Sequence, residues 1–188
     1  MTRIIGGTAG GRRLEVPSGR ETRPTSDRVR EAIFSVLESR DVLDGVAVLD
    51  AYAGSGALGL EAASRGAASV VCVESHRPTA RLIERNAKSL GLPVDVVAAT
   101  VADFAGRESR RFGLILADPP YPMTEPVLAA DLASLAGVAE PGALLVVERS
   151  SRSPEPTWPA GVEVEVGRRY GETTVWLAWA AYVNEVLG

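Results

Sequence analysis

From residue 46 onward the chain alternates short apolar runs with helix-like stretches: VAVLD, ALGLEAASRG, SVVCVE, a stretch from Pro78 to Leu90, VDVVAA, FGLILAD, a stretch from Thr124 to Ala136, and ALLVVE. The short runs are apolar at consecutive positions, so both faces of each strand must be covered, and the stretches between them are the crossover helices that do it. This alternation predicts a mostly parallel sheet with helices on both sides. Near the end the rule changes. VEVEVGRRY and TTVWLAWAAY are separated only by Gly171 and Glu172, which reads as an antiparallel hairpin closing one edge of the sheet. Upstream, Val29, Ala32, Ile33, Val36 and Leu37 recur at helical spacing after RPTS. They predict a helix capped by Thr25 or Ser26 with Asp27 in its first turn. Before it, RIIGGTAGGRRLEVP predicts a small hairpin of about residues 3 to 6 and 11 to 16. The expected organisation is an arm over residues 1–24 on a single catalytic domain over 25–188.

A chain of 188 residues, 46% of them hydrophobic, can bury one substantial core without a covalent staple. It has no uncharged apolar run of membrane-spanning length, and MTRIIGGTAG lacks the apolar centre of a secretory signal, so a soluble, cytoplasmic protein is expected. One cysteine, Cys72, and one histidine, His76, leave too few ligands for a zinc cluster, and catalysis by a metal or a Ser-His-Asp triad is not expected. No metal is expected; Cys72 reads as core and His76 as a solvated residue. Charge is unevenly spread. Residues 1–30 carry a net +4 and the remainder a net −8. Arg3, Arg12, Arg13, Arg20, Arg23, Arg28 and Arg30 are therefore candidate RNA contacts, because the planar guanidinium grips an oxyanion with two bonds. The alternative is a solvated terminus in a chain whose basic residues are nearly all arginine.

The strand ending at Asp50 runs into Gly54, Gly56 and Gly59, a G-x-G-x-x-G between strand and helix. Such a loop lets the backbone approach a ligand closely and aims free helix N–H groups at it. Twenty residues beyond Gly54, Glu74 ends the next strand, where a carboxylate accepts bonds from ribose hydroxyls. Tyr52 and Ala53 in the loop, and Ser75 beside Glu74, complete the candidate nucleoside-cofactor site. Nicotinamide cofactors use the same glycines, but a carboxylate at Asp50 suits a ligand bearing an ammonium group and tips the choice to S-adenosylmethionine. Asp103 and Phe104 stand where polar and apolar contacts to adenine are expected, with a helix cap as the alternative for Asp103.

Asp118, Pro119, Pro120 and Tyr121 follow FGLILAD at the carboxyl end of a central strand. A base's exocyclic amine is a poor nucleophile because its lone pair is delocalised. Asp118 and the Pro119 carbonyl can accept its N–H bonds and favour localising that pair. The prolines fix the backbone, and Tyr121 offers a stacking face. No strong base is required.

RPTSDRVREAIFSVL at 23–37, DAYAGSGALGLEAASRGA at 50–67, DPPY at 118–121 and YGETT at 170–174 resemble the RsmD family of bacterial methyltransferases acting on guanine N2 of 16S ribosomal RNA. The resemblance spans nearly the whole chain. It implies the class I S-adenosylmethionine-dependent methyltransferase fold: Rossmann-like α/β, seven strands in the order 3-2-1-4-5-7-6, strand 7 antiparallel. It also implies 16S rRNA, in the small ribosomal subunit or an assembly intermediate, as partner, with no membrane and no obligate protein partner. By position, Asp50, Gly54 and Gly56 would hold the methionine and ribose parts of the cofactor, Glu74 the ribose hydroxyls and Asp103 the adenine amine. Asp118 to Tyr121 would receive a flipped guanine, with Arg23 and Thr25 near the cofactor. Tyr52 departs from the phenylalanine of many relatives. A DNA adenine-N6 methyltransferase, a nicotinamide oxidoreductase and a non-catalytic RNA-binding module are the competing readings.

Overall fold

The computed structural model describes residues 2–17 and 27–182. Its seven strands are β1 (Ala47–Asp50), β2 (Ser69–Val73), β3 (Val94–Val97), β4 (Phe112–Ala117), β5 (Ala139–Ser150), β6 (Val162–Tyr170) and β7 (Thr173–Ala180). They form one sheet in the order β3-β2-β1-β4-β5-β7-β6. Strands β1 to β5 are parallel, and β7 runs antiparallel between β5 and β6. The chain winds outward from β1 to β3 and then returns to β4 on the other side of β1. The carboxyl ends of β1 and β4 thus flank the switch point, where open α/β sheets bind ligands.

The helices are α1 (Asp27–Ser39), α2 (Ala57–Ser64), α3 (Arg77–Leu90), α4 (Val101–Ala105) and α5 (Glu125–Ala136). Alternation along the central strands sends Val48, Cys72 and Leu116 to the face covered by Phe34 of α1, Leu58 of α2 and Ile83 of α3. Leu49, Val71 and Ile115 point the other way, toward Phe104 of α4 and Leu128 and Leu132 of α5. Both faces are dry, which explains why these strands read as continuous apolar runs. Helix α4 escapes the sequence pattern because five residues are too few to show a period; Thr100 starts it by accepting the Asp103 N–H at 3.1 Å. No described helix is long and apolar enough to cross a membrane.

The arm is tighter than the predicted two-stranded hairpin. Its ladder is a single antiparallel bridge, Arg3 to Arg13, flanked by the Ile4 N–H to Arg12 carbonyl and Leu14 N–H to Thr2 carbonyl bonds. The intervening chain is drawn onto the end of α2 instead of extending: the Thr8 N–H donates to the Ser64 carbonyl at 2.8 Å. Gly7, at φ +73°, touches that carbonyl so closely that a Cβ would lie 1.8 Å from its oxygen. Ile4, Ala9 and Leu14 bury against Leu60 of α2 and Ala87 and Leu90 of α3. The expected caps Thr25 and Ser26 lie outside the described residues.

Candidate active site

Three carboxylates converge on the carboxyl edge. Asp50 ends β1, in register with Cys72 of β2 and Leu116 of β4. Glu74 and Asp118 each follow those partners by two residues, so all three project toward the α2 face, on adjacent strands about 5 Å apart. Asp50 is fully buried. Its Oδ2 accepts the Gly59 N–H at 2.8 Å, while its Oδ1 has no hydrogen-bond partner among the described residues. Burial pushes its pKa up to about 7, opposed by the Gly59 bond and reinforced by the negative charges of Asp118 and Glu74.

The glycine loop turns as expected between β1 and α2. Gly54 and Gly56 adopt φ of +55° and +81°, and Gly56 is the residue before the first turn of α2. A Cβ on Gly59 would lie 2.4 Å from Cys72 Sγ and 3.2 Å from Asp50, so this glycine lets α2 seat directly on the strand ends. The Glu74 carboxylate closes the loop, accepting the Gly54 N–H at 3.0 Å on one oxygen and the His76 N–H at 2.7 Å on the other. Ala53 is buried beneath the loop, and Ser75 is exposed beside Glu74.

Other candidate residues fall into place unevenly. Asp103 is exposed in the first turn of α4, and since Thr100 provides the cap, the capping alternative for Asp103 does not hold. Phe104, expected as an apolar contact to adenine, is buried, its ring packing on Phe112 at 6.4 Å between centroids. The Tyr52 hydroxyl donates to Asp131 Oδ2 of α5 at 2.6 Å, and burial together with this carboxylate raises its pKa far above the usual phenol value. It thereby ties the glycine loop to the helix that follows the DPPY segment. In that segment Pro119 is buried, Asp118 half-buried, and Pro120 and Tyr121 exposed, with 54% of Tyr121 open to solvent. His76 is exposed with Nδ1 2.8 Å from the Thr79 hydroxyl, and Cys72 is core.

Arg30 must leave the set of RNA contacts. It is 1% exposed, donates to the Arg3 carbonyl and to Asp27 Oδ1, and lies 3.7 Å from Glu61 of α2. Its place on the apolar stripe of α1, one turn before Phe34, requires that burial. Arg12 donates to the Ser89 and Leu90 carbonyls at the end of α3, so it also anchors the arm. Arg3, which pairs with Asp27, and Arg13 and Arg28 are exposed. Arg20 and Arg23 lie outside the described residues.

Two supporting side chains were invisible to motif reading. Asn86 of α3, 3% exposed, exchanges bonds with both backbone groups of Glu15 and donates to the Ser55 carbonyl, so it clasps the arm and the glycine loop together. Its signal was a polar residue within the apolar stripe Leu82, Ile83, Ala87 and Leu90. Arg149 of β5 donates to the Met123 carbonyl and to Glu125, holding the chain between DPPY and α5. Nothing local in the sequence marks that pairing.

A seven-stranded sheet with an antiparallel β7 and a glycine loop at its switch point define the class I methyltransferase fold; S-adenosylmethionine is the cofactor expected from the sequence. The chain belongs to the family described as conserved hypothetical protein 95, whose model matches residues 2–179. It is 33% identical over 187 residues to the ribosomal RNA small subunit methyltransferase D of Escherichia coli K12, across 99% of this chain and 91% of that protein. Among solved structures it is similar to the putative methyltransferase yhhF from Escherichia coli, with a TM-score of 0.84, 33% identity and coverage of 96% and 98%. A hypothetical protein of Thermus thermophilus superposes with a TM-score of 0.81 at 36% identity, covering 97% of this chain and 100% of that one. The residues present fit the cofactor: the buried Asp50 Oδ1 lacks a partner, and the open face of Gly54, where a Cβ would meet nothing within 4 Å, leaves room against the loop. Among the described residues no group of three or more His, Cys, Asp or Glu could hold a metal.

Proposed function

We propose that this chain transfers a methyl group to the exocyclic N2 of a guanine in 16S rRNA, within the small ribosomal subunit or an assembly intermediate. The observation that carries the reading is the Asp118-Pro119-Pro120-Tyr121 segment at the same sheet edge as the partnerless oxygen of Asp50. The near full-length likeness to a ribosomal RNA methyltransferase supports the substrate.

S-adenosylmethionine, when bound, supplies an electrophilic methyl group on a cationic sulfonium. Asp50 would hold the ammonium end and Glu74 the ribose hydroxyls, with Gly54 and Gly56 giving close backbone approach and Asp103 and Ser75 meeting the adenine side. Asp118 and the Pro119 carbonyl accept the two N–H bonds of the target amine. They turn its lone pair out of conjugation and toward the methyl donor, and they hold the positive charge that develops on nitrogen. Once the new N–C bond exists, that nitrogen is acidic and sheds its proton to water. Tyr121, exposed before RNA arrives, stacks on the flipped base and offsets part of the few kcal/mol that flipping costs. Arg149 and Tyr52 are positioning residues, holding the segment on either side of Met123.

The test supplies methyl-labelled S-adenosylmethionine with small subunits from cells lacking the enzyme, with naked rRNA and duplex DNA in parallel, and identifies the product nucleoside by mass spectrometry. N2-methylguanosine on the subunit is expected, formed at least about 100-fold more slowly by Asp118→Ala. N6-methyladenine in DNA, or tight RNA binding without transfer, would overturn the reading.

A further inference from the structure

The YGETT turn joins β6 to β7 and has no part in the cofactor loop or the DPPY segment. Thr173 pairs with Ser150 and Val175 with Glu148, while Ala117 of β4 pairs with Val147. The turn therefore projects past the carboxyl end of β5, from the edge on which Asp118 stands. Three strand spacings separate β6 from β4, which places the turn about 15 Å from Asp118.

Arg28, Val29, Arg169, Tyr170 and Gly171 line a pocket of about 430 Å³ at this turn, within the size range of small-ligand sites. Arg28 comes from the first turn of α1, and Arg169 and Tyr170 come from the far end of the chain. Arg169 spends one of its five donors on the Gly171 carbonyl, at 3.0 Å, which fixes the guanidinium against the turn. Tyr170 is half-buried, packed on the core under α1, and reaches the pocket from there. A further exposed arginine, Arg152, sits on the neighbouring loop, which is bound to the turn through the Ser151 N–H and the Glu172 carbonyl at 2.8 Å. Glu172 is the acidic residue of the turn itself, so the rim is cationic on balance. The pocket at the opposite, amino edge of the sheet is lined by Asp41 and Glu140 and, among the described residues, by no basic one. Cationic lining is thus a property of the reactive edge alone among these two pockets.

Resting on the reading of rRNA as substrate, we infer that this pocket is an RNA backbone site. Arg28 and Arg169 grip a phosphate close to the target nucleotide, and Tyr170 packs on an adjoining ribose or base. The chemistry is that of a planar fork meeting an oxyanion beside an aromatic platform. Holding the backbone on one side of the target stabilises the base outside its stack without touching the reacting atoms.

The experiment compares the wild type with Arg28→Gln/Arg169→Gln for binding to small subunits from cells lacking the enzyme, across a salt series of about 50 to 300 mM KCl. S-adenosylmethionine affinity by calorimetry and melting temperature serve as controls. The double variant should bind about 10-fold or more weakly at about 150 mM, with the slope of log K against log salt shallower by about 1 to 2, and with cofactor affinity unchanged. The single variant Arg28→Gln, at an exposed helix position, should show about half of that slope change, and it stands in if the double variant melts early. Tyr170→Leu should weaken binding about 5-fold or more while leaving the slope intact. An unchanged affinity and slope in the arginine variants, while the wild type methylates the subunit, overturns the pocket alone. A wild type that neither binds nor methylates the subunit overturns the functional reading and the pocket together.

Discussion

Two fully buried carboxylates meet helix α2, Asp50 beneath its first turn and Glu61 within its second half, and they live in opposite conditions. Glu61 has its oxygens saturated: the Ile5 and Gly6 N–H groups donate at 2.8 Å each, Arg65 Nε at 2.7 Å, and Arg30 adds a second buried cation. Asp50 has one N–H from Gly59, two negative neighbours and an oxygen with no partner among the described residues. Equal burial thus conceals different duties. The saturated carboxylate is architecture, fastening the arm to the helix, and the deprived one is the carboxylate proposed to hold the cofactor's ammonium.

Glu61→Ala should break this comparison on the structural side with the largest effect. It strands Arg30 in the core and releases the arm, so chemical denaturation should show a loss of about 3–5 kcal/mol. Asn86→Ala removes a buried amide that serves both Glu15 and the Ser55 carbonyl. It should cost about 1–3 kcal/mol and weaken S-adenosylmethionine binding, because the glycine loop loses a support. Asp50→Asn should go the other way. A carboxyl whose folded pKa of about 7 stands above its ordinary range binds a proton that the unfolded chain has released, so its contribution to stability falls as pH rises from about 4 to about 7. The variant lacks that penalty. Its melting temperature without cofactor, relative to wild type, should climb between about pH 5 and about pH 8; a constant difference would mean that Asp50 is not strained. Tyr52→Phe should be the mildest, about 0.5–1.5 kcal/mol of stability with cofactor affinity nearly unchanged, since its hydroxyl serves Asp131.

Much of this was legible beforehand because it was local. The apolar runs and the glycine loop announce the parallel sheet and its switch point, and VEVEVGRRY and TTVWLAWAAY map onto β6 and β7 nearly residue for residue. The apolar runs also mark where Asp50, Glu74 and Asp118 fall, Asp50 as the last residue of β1 and the other two directly after β2 and β4. Arg30 was misplaced because charge composition counts residues without knowing which way they face; its position on the apolar stripe of α1 carried the contrary signal. The arm's single bridge, the Asn86 clasp and the Arg149 brace depend on contacts between residues far apart in the chain, which no local pattern encodes.

The most direct test of the difference between the two carboxylates is calorimetric titration of S-adenosylmethionine into wild type and Asp50→Asn from about pH 6 to about pH 8.5, a range that brackets the proton uptake of Asp50. Titration of the ligand's own ammonium is common to both proteins and cancels in their ratio. Wild type should bind about 10-fold or more tightly than Asp50→Asn at about pH 8, with the advantage shrinking as pH falls through about 7 and Asp50 takes up its proton. Equal affinity at every pH would contradict the account, because Asp50 would then be a buried structural carboxylate like Glu61 and not the cation-binding half of the site.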